Sequence, residues 1–185
     1  MNRKRCRWCN MKNPLYIAYH DNEWGVLRLD DGYLYEMLIL ESFQAGLSWE
    51  CVLNKRESFK AAYHNFELER VCAYGEEDIN RLLNDSGIVR NRLKIKASIN
   101  NSRIFRDIVG EFGSFRDYLM SFTDGKPKYE TDRSTNALSD EISADLRRRG
   151  MKFAGSTIIY AYLQAIGLIC SHEEECFMYK NPTCE

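Results

Sequence analysis

The sequence predicts an all-α protein that forms a single domain over residues 1–185. Apolar residues recur with helical periodicity along most of the chain, and acidic residues open several of these segments. No run of alternating apolar and polar residues is long enough to build a sheet. A chain of 185 residues with 44% hydrophobic and 29% charged residues is typical of a globular protein with a substantial core.

The first two clear helical patterns lie in the middle of the chain. Residues 76–85 open with three acidic residues, which suit the positive end of a helix dipole, and Gly87 follows them. Their apolar face consists of Ile79, Leu82 and Leu83. Residues 90–109 carry a second apolar stripe, which consists of Leu93, Ala97, Ile104 and Ile108.

Two further helices follow, with a polar loop between them. The segment 115–122 repeats aromatic and apolar residues at helical spacing, at Phe115, Tyr118, Leu119 and Phe122. The segment 139–150 has acids at its start and three arginines before a terminal glycine, as helix dipoles favour. Residues 125–136 are polar, and we expect them to be irregular.

Charge and hydropathy indicate whether the protein binds polyanions and whether it spans a membrane. The net charge of −1 hides two segments, 1–20 and 90–106, that contain basic residues and no acid. One-sided runs of this kind fit a polyanion surface, although a solvated basic face is an equal alternative. The longest apolar run, 158–169, is too short to span a bilayer, and no apolar signal region follows the basic N-terminus. We therefore expect a cytoplasmic protein that does not bind membranes.

The seven cysteines point to metal rather than to disulfides, because the count is odd and no secretory signal is present. Three residues separate His172 from Cys176, and Cys6 with His20 would complete a tetrahedral zinc site. Such a site would clasp residues 6–20 to 172–176 and would be structural, since four protein ligands leave no open position. Two alternatives stay open: Cys9 replaces His20, or the thiols are free.

Two stretches combine aromatic and ionisable residues. "PLYIAYHDNEWG", residues 14–25, is a surface turn, a metal-binding loop or the wall of a pocket for a flat, charged ligand. "LESFQAGLSW", residues 40–49, places Glu41 after an apolar run, either at a functional site or on the solvent face of a helix. Leu47, beside Gly46, is an ordinary packing residue or an exposed wedge, and Trp49 is a core residue or a ligand platform.

Residues 82–96, "LLNDSGIVRNRLKIK", are similar to a helix-hairpin-helix, a motif whose backbone amides hold a DNA phosphate. Gly87 lies in the turn, Val89 occupies the place of the usual second glycine, and basic residues follow. Ordinary helix–turn–helix connections share this pattern. As a DNA-binding motif it would extend over about 76–106 and use Arg90, Arg92 and Lys94.

Several motifs resemble, in order and over nearly the whole chain, the bacterial DNA-3-methyladenine glycosylase I family. These motifs are "RCRW", "PLYIAYHDNEWG", "LESFQAGLSW", "SGIVRNRLKI", "RRRGMKFAGSTI" and "HEEEC". The resemblance implies an all-helical helix-hairpin-helix DNA glycosylase fold with a structural Zn²⁺ that joins the two chain ends. It also implies a monomeric repair enzyme that flips 3-methyladenine out of alkylated double-stranded DNA and hydrolyses its glycosidic bond.

The resemblance also assigns residues. It implies the zinc ligands Cys6, His20, His172 and Cys176. It implies a base pocket formed by Glu41, Tyr16, Tyr19, Trp24 and Trp49, with Trp8 near the rim. Leu47, next to Gly46, matches the residue that plugs the DNA after the base leaves. The catalytic aspartate common in the superfamily has no counterpart, since Asp107, Asp117 and Asp124 lack the matching setting.

This chemistry gives the residue types a purpose. Methylation at N3 makes the adenine cationic, and aromatic faces attract a planar cation with about 0.5 to 2 kcal/mol per contact. Glu41 would accept hydrogen bonds from the exocyclic amino group. Two alternatives remain: a zinc-clasped nucleic-acid-binding module without catalysis, and a thiol or metal hydrolase with an open site at Cys9 or Cys184.

Overall fold

The computed structural model describes residues 3–179, which are mainly helical as the sequence predicts. In chain order the helices are α1 (Pro14–Asn22), α2 (Asp31–Gln44), α3 (Trp49–Leu53), α4 (Arg56–Ala62), a 3-10 turn (His64–Phe66), α5 (Leu68–Cys72), α6 (Glu76–Asn84), α7 (Arg92–Phe112), α8 (Phe115–Met120), α9 (Ala137–Arg148) and α10 (Ser156–Ala165). Within this part of the chain, no helix is both long and apolar enough to cross a bilayer.

Polar side chains fix where many of these helices begin. Each accepts a hydrogen bond from a backbone N–H in the first turn, which satisfies a donor that has no partner within the helix. The N-cap residues that do so are Asn13, Asp30, Ser48, Asn91, Ser114 and Asn136. The predicted helices at 76–85, 115–122 and 139–150 are present with slightly shifted ends.

The core surrounds α2, which packs against α3, α7, α8 and α10. An almost continuous run of its side chains is buried, from Tyr33 to Phe43 with Glu36 excepted. Burial on nearly every face explains the unbroken apolar run in its sequence. It also means that Glu41, near the C-terminal end of α2, has no solvent-facing side to occupy.

The predicted apolar face of α7 is partly wrong. Leu93 is 73% exposed, whereas Ser98 and Ser102 are fully buried. The hydroxyl of Ser98 lies 2.8 Å from that of Tyr63, and the hydroxyl of Ser102 lies 2.6 Å from that of Tyr35. Because these hydroxyls are hydrogen-bonded, small polar residues can face the core. A prediction based only on hydropathy therefore identifies a face of the helix that differs from the buried one.

The sequence predicts no strands, but the described part of the chain contains two short ones. Residues Lys128–Tyr129 (β1) pair in parallel with Ile169–Cys170 (β2), so the segment 125–136 is not wholly irregular. Two residues per strand are too few for alternation to register in a sequence. This short pairing fixes the 125–136 segment beside the chain that leaves α10.

A close contact between backbones defines the end of α10. Gly167 has a φ of +79°, and a Cβ added there would lie 2.3 Å from the backbone nitrogen of Leu27 and the carbonyl carbon of Val26. The same segment is held by hydrogen bonds from Gly25 N to Gln164 O and from Arg28 N to Ile166 O, at 2.9 and 3.0 Å. Only glycine satisfies both the conformation and the space.

We expect Gly167→Ala to lower the free energy of unfolding by about 3 kcal/mol or more, because backbone strain and overpacking add at this position. Urea unfolding followed by circular dichroism measures the change. Gly110→Ala is the matched control, since Gly110 lies within α7 and has open space around it, and it should change stability by about 1 kcal/mol or less. Equal stabilities for the two variants would contradict this account.

Candidate functional site

A cavity of about 310 Å³ opens between the N-terminal segment, α2, α3 and α10. Five aromatic residues line it: Trp8, Tyr16, Tyr19, Trp24 and Trp49. Glu41 also lines it. The residues of this predicted set, which are spread over the first 49 positions, therefore lie together in space. The volume is at the small end of ligand pockets, and the five aromatic rings provide flat faces, which suits one flat molecule.

Helix geometry brings the side chains to one cavity. Tyr16 and Tyr19 are three residues apart on α1 and project from the same face. Glu41 and Gln44 bear the same relation on α2. Trp49 begins α3, where the side chain of Ser48 caps the helix. Three helices, α1, α2 and α3, therefore place five of the side chains that line the cavity.

The rings form two packed groups, Tyr19 with Trp49 and Trp8 with Tyr16 and Trp24. The centroids of Tyr19 and Trp49 are 5.2 Å apart, and those of Trp8 and Tyr16 are 5.3 Å apart. Trp8 also meets Trp24 edge to face at 4.7 Å. These separations are typical of aromatic pairs and fix the rings against one another. Faces arranged in this way can stack on a planar ligand and attract a positive charge.

Glu41 is the unusual group of the cavity. Its side chain is 2% exposed, and its Oε2 atom has no hydrogen-bond partner among the described residues. Burial raises the pKa of this carboxyl well above its usual value. The alternative that Glu41 lies on a solvent-facing helix surface is therefore wrong. Burial first and the nearby Glu41 second also raise the pKa of Tyr19.

Three more polar atoms of the lining are buried without a hydrogen-bond partner among the described residues: Oε1 of Gln44, Nε1 of Trp49 and Oγ of Ser171. The oxygens of Glu41 and Gln44 are acceptors and the indole N–H of Trp49 is a donor, and a ligand or water in the cavity can satisfy them. The role of Gln44 as a lining residue was not predicted from the sequence. Its spacing of three residues from Glu41 on one helix was the signal that could have identified it.

A second group of lining residues, from the later part of the chain, was not predicted from the sequence. Thr131, Asp132 and Arg133 line the opening, and so do residues that follow β2, among them Ser171 and Glu173. The β1–β2 pairing holds these segments in place. No sequence signal marked them, because pairing so short leaves no pattern. Asp107, Asp117 and Asp124 are not among the lining residues.

A second site lies behind the aromatic wall. Cys6, His20, His172 and Cys176 are all buried, and one ligand atom from each lies within 4.8 Å of the others. Sγ of Cys6 is 3.5 Å from Nδ1 of His172, and Sγ of Cys176 is 3.4 Å from Nε2 of His20. A tetrahedron with zinc–sulfur and zinc–nitrogen bonds of ordinary length has a sulfur–nitrogen edge of about 3.5 Å. The four residues thus fit a tetrahedral metal ion.

Surrounding groups orient the imidazoles and the sulfurs. Nδ1 of His20 is 2.8 Å from the carboxylate of Asp21, and Nε2 of His172 is 3.2 Å from the carbonyl oxygen of Trp24. The other ring nitrogen of each histidine therefore faces the centre of the cluster. The backbone amides of Glu173 and Met178 each donate to a cysteine sulfur at 3.4 Å, which fixes the positions of the two sulfurs.

Cys9 does not belong to this cluster. Its thiol lies 3.9 Å from the carbonyl oxygen of Tyr16, and the four residues that meet in the cluster include His20 and not Cys9. The alternative in which Cys9 replaces His20 therefore does not match the structure. Cys184 lies outside the described residues.

The cluster and the cavity share a boundary. The ring of Trp8 lies 5.2 Å from that of His20, and the ring of Trp24 meets His172 edge to face at 4.7 Å. Two of the five aromatic lining residues therefore rest directly on the imidazoles. The positions of Trp8 and Trp24 in the cavity wall therefore depend on the positions of the two histidine rings.

A helix–turn–helix with a tight turn stands apart from the cavity. α6 and α7 are joined by residues 85–91, and a Cβ on Gly87 would lie 2.9 Å from the side chain of Ser58. The ammonium of Lys55 donates to the carbonyls of Ser86 and Gly87 at 3.2 and 3.3 Å. Gly87 is thus required by space and not by a positive φ.

The basic residues after this turn differ in their surroundings. Arg90 and Arg92 are exposed, and Arg92 forms an ion pair with Glu76. Lys94 is 7% exposed, and its ammonium donates to the carbonyl oxygens of Phe43 and Ala45 at 2.6 Å each. The prediction that Lys94 joins Arg90 and Arg92 on a phosphate-binding surface is therefore wrong, because its charge is inside the protein.

The turn after α2 presents an apolar side chain to solvent. Gly46 has a φ of +75°, and Leu47, which follows it, is 40% exposed. The backbone amide of Leu47 donates to the carbonyl of Gln44 at 2.6 Å. Leu47 is thus held at an exposed tip next to the cavity and does not pack into the core.

Comparison with known proteins was made against this geometry. A sequence profile of the methyladenine glycosylase family matches residues 8–179. The chain is 45% identical over 183 residues to DNA-3-methyladenine glycosylase 1 of Escherichia coli (strain K12), with 95% of this chain and 97% of that protein covered.

Solved structures agree. A crystal structure of 3-methyladenine DNA glycosylase I superposes with a TM-score of 0.91 at 44% identity, covering 96% of this chain and all of the other. The Staphylococcus aureus 3-methyladenine DNA glycosylase I, solved to explain recognition of 3-methyladenine, gives a TM-score of 0.90 at 33% identity. That match covers 96% of this chain and 99% of the S. aureus chain.

The burial of Glu41 predicts a gain in stability for Glu41→Gln. The unfolded carboxyl ionises at its ordinary pKa, whereas the folded one ionises only at a higher pH. The wild-type protein therefore loses stability relative to the variant, by about 1.4 kcal/mol per pH unit between the two pKa values. The difference should be absent in acid and grow towards neutral pH in urea unfolding.

Glu141→Gln is the control, because Glu141 is exposed on α9 and its replacement should change stability by less than about 0.5 kcal/mol. A Glu41→Gln variant that is less stable than wild type at neutral pH would show that the carboxylate has a favourable partner.

Proposed function

The chain belongs to the methyladenine glycosylase family and is a DNA glycosylase of base-excision repair, and we propose that Glu41 and the surrounding aromatic rings select its substrate base. The reaction is hydrolysis of the N-glycosidic bond of 3-methyladenine in alkylated duplex DNA. It releases the free base and leaves an abasic site. The observation that carries the assignment of residues is the buried, unpaired carboxylate of Glu41 in an aromatic cavity.

The cavity matches the charge of the damaged base. Methylation at N3 makes adenine in DNA cationic, and Tyr16, Tyr19 and Trp49 provide electron-rich faces for a planar cation. Trp8 and Trp24 complete the box at its rim. Unmodified adenine is neutral, so it gains less from the rings and cannot compensate the buried charge of Glu41. Discrimination therefore follows from electrostatics before any bond is broken.

Glu41 contacts the base in this proposal and is the catalytic residue. Its carboxylate accepts hydrogen bonds from the exocyclic amino group of the extruded base. As the bond to C1′ breaks, positive charge moves from the base to the deoxyribose, and the same carboxylate stabilises that charge in a pocket of low polarity. Water supplies the hydroxyl at C1′, neutral 3-methyladenine leaves, and one proton is released.

Two exposed features would engage DNA. The hairpin at 85–91, with Gly87 in its turn, would present backbone amides and the start of α7 to a phosphate, as in a helix-hairpin-helix motif spanning about 76–106. Arg90 and Arg92 would add positive charge beside it. Leu47, raised by Gly46, would fill the space that the extruded nucleotide leaves in the duplex.

The second site would hold a structural Zn²⁺. Cys6, His20, His172 and Cys176 supply two sulfurs and two nitrogens at the spacing of a tetrahedron, and no ligand position is left for substrate. Bound zinc would supply cross-linking energy, and the chain's own residues would do the chemistry. We also propose that the enzyme acts as a monomer in the cytoplasm, where reducing conditions keep thiolate ligands intact.

Neither alternative accounts for the buried carboxyl of Glu41 among the described residues. A binding module that has lost catalysis would have no need to keep an unpaired carboxylate buried at a cost in stability. A thiol hydrolase at Cys9 lacks a partner base, since that thiol faces a backbone carbonyl.

Excision from methylated duplex DNA, measured by chromatography of the released base, tests the role of Glu41. We expect Glu41→Gln to slow excision by roughly 10²-fold. The wild-type kcat/KM should rise with pH through the raised pKa of Glu41, since only the carboxylate neutralises the cationic base, and the variant should lack this rise. Glu141→Gln should behave as wild type. Equal rates for Glu41→Gln and wild type would reject the assignment.

Metal analysis of the purified protein tests the zinc proposal. We expect about one zinc ion per chain and its loss in Cys176→Ser, together with several kcal/mol of stability. Free 3-methyladenine should bind this variant more weakly in a tryptophan fluorescence titration, because Trp8 and Trp24 rest on the histidine ligands. Cys72→Ser, a buried cysteine of α5 away from the cluster, is the control. A metal-free protein of full stability would contradict the proposal.

A further inference from the structure

Two different donors bind the last carbonyl groups of α2. The ammonium of Lys94 donates to the carbonyl oxygens of Phe43 and Ala45, at 2.6 Å each. The backbone amide of Leu47 donates to the carbonyl between them, that of Gln44, also at 2.6 Å. The carbonyls at a helix C-terminus lack partners within the helix and carry partial negative charge. Lys94 and Leu47 thus bind three consecutive carbonyl groups, Lys94 the first and third and Leu47 the second.

Lys94 is attached at its other end to the hairpin. It lies in the first turn of α7, and its backbone amide donates to the side chain of Asn91, the cap residue that ends the turn 85–91, at 3.1 Å. Its ammonium is buried, 5.9 Å from the ring centre of Phe153, and no carboxylate forms an ion pair with it in the described part of the chain. One residue therefore connects the hairpin to the turn that carries Leu47.

The choice of residue is informative. Gly46, with a φ of +75°, already ends α2 locally, so termination of the helix does not require a desolvated charge. A lysine from α7 instead ties the turn at 45–48 to a distant element in the sequence. Its loss would leave two carbonyls of α2 without a donor and Leu47 held by its own backbone alone.

We propose that Lys94 is a positioning residue that keeps Leu47 in register with the phosphate-binding hairpin, so that docking of the backbone and entry of Leu47 into the duplex occur as one rigid movement. This inference rests on the proposed function, in which Leu47 enters the duplex. According to this inference, Lys94 affects the step in which the nucleotide is extruded from the duplex. The cavity for the base is formed by other contacts, such as the packing of Tyr19 on Trp49.

The test compares Lys94→Met with Ser98→Ala. Ser98 lies one turn further along α7, is fully buried and bonds to Tyr63, so its loss perturbs the same helix without touching the turn at 45–48. Three readouts are needed: excision from methylated duplex DNA, binding of free 3-methyladenine, and fluorescence of 2-aminopurine placed beside an abasic analogue in a short duplex. The last reports disturbance of the base stack by Leu47.

We expect Lys94→Met to lower both duplex excision and the 2-aminopurine signal by about tenfold or more, since misplacement of about 1 Å has effects of this size. Binding of free 3-methyladenine should stay within about twofold of wild type, and Ser98→Ala should leave all three readouts near wild type. If Lys94→Met does not fold, Lys94→Gln, which keeps a donor of similar reach, should show a smaller change in the same two readouts.

A double-mutant cycle with Leu47→Ala completes the test. If Lys94 acts through Leu47, the double variant should be no slower than Leu47→Ala alone. Additive losses, or a parallel loss of free-base binding in Lys94→Met, would overturn the inference and leave the wedge assignment of Leu47 intact. A Leu47→Ala variant with wild-type excision would overturn both.

Discussion

The burial of one carboxylate constrains much of this structure. Glu41 lies on a helix that is surrounded by the core, so its side chain has no route to solvent except through the aromatic cavity. Without a cation in that cavity the ionised form is unfavourable, and with one it becomes a favourable pair. Stability is thus given up in the free protein and recovered only with a ligand of the right charge. The aromatic rings serve the same end, because they favour a cation without neutralising Glu41 in advance.

The cavity and the metal cluster depend on each other mechanically. Trp8 and Trp24 have one side against the imidazoles of His20 and His172 and another side towards the cavity. The ring positions of the histidines are in turn set by Asp21 and by a backbone carbonyl. None of the four residues of the cluster lines the cavity, yet two of the rings that do line it pack on its imidazoles. In the proposed function, the cluster therefore contributes to recognition of the base.

The sequence was sufficient for the helical fold class, for four of its helices and for the aromatic residues and Glu41 of the cavity. Residues with a periodic pattern or a recognisable motif, such as Tyr16, Tyr19 and Trp49, lie where they were expected. Three kinds of feature escaped prediction, each for a physical reason. Buried serines of α7 are hidden from hydropathy by their hydrogen bonds. The lining segment at 131–133 is fixed by a strand pairing of two residues. Lys94 carries a charge that backbone carbonyls, invisible in any sequence pattern, draw into the interior.

The fastening of the two ends also has a consequence for synthesis. The ribosome releases Cys6 and His20 long before it makes His172 and Cys176, so a nascent chain can begin to build the core around α2 while these first two ligands wait without partners. The ring of Trp24 lacks its contact with His172 until the last ligands emerge, whereas Trp8 already packs on Tyr16 and His20. The capacity to recognise a damaged base should therefore appear abruptly, near the end of translation. A chain that stops before His172 lacks two residues of the cluster and the contact of His172 with Trp24.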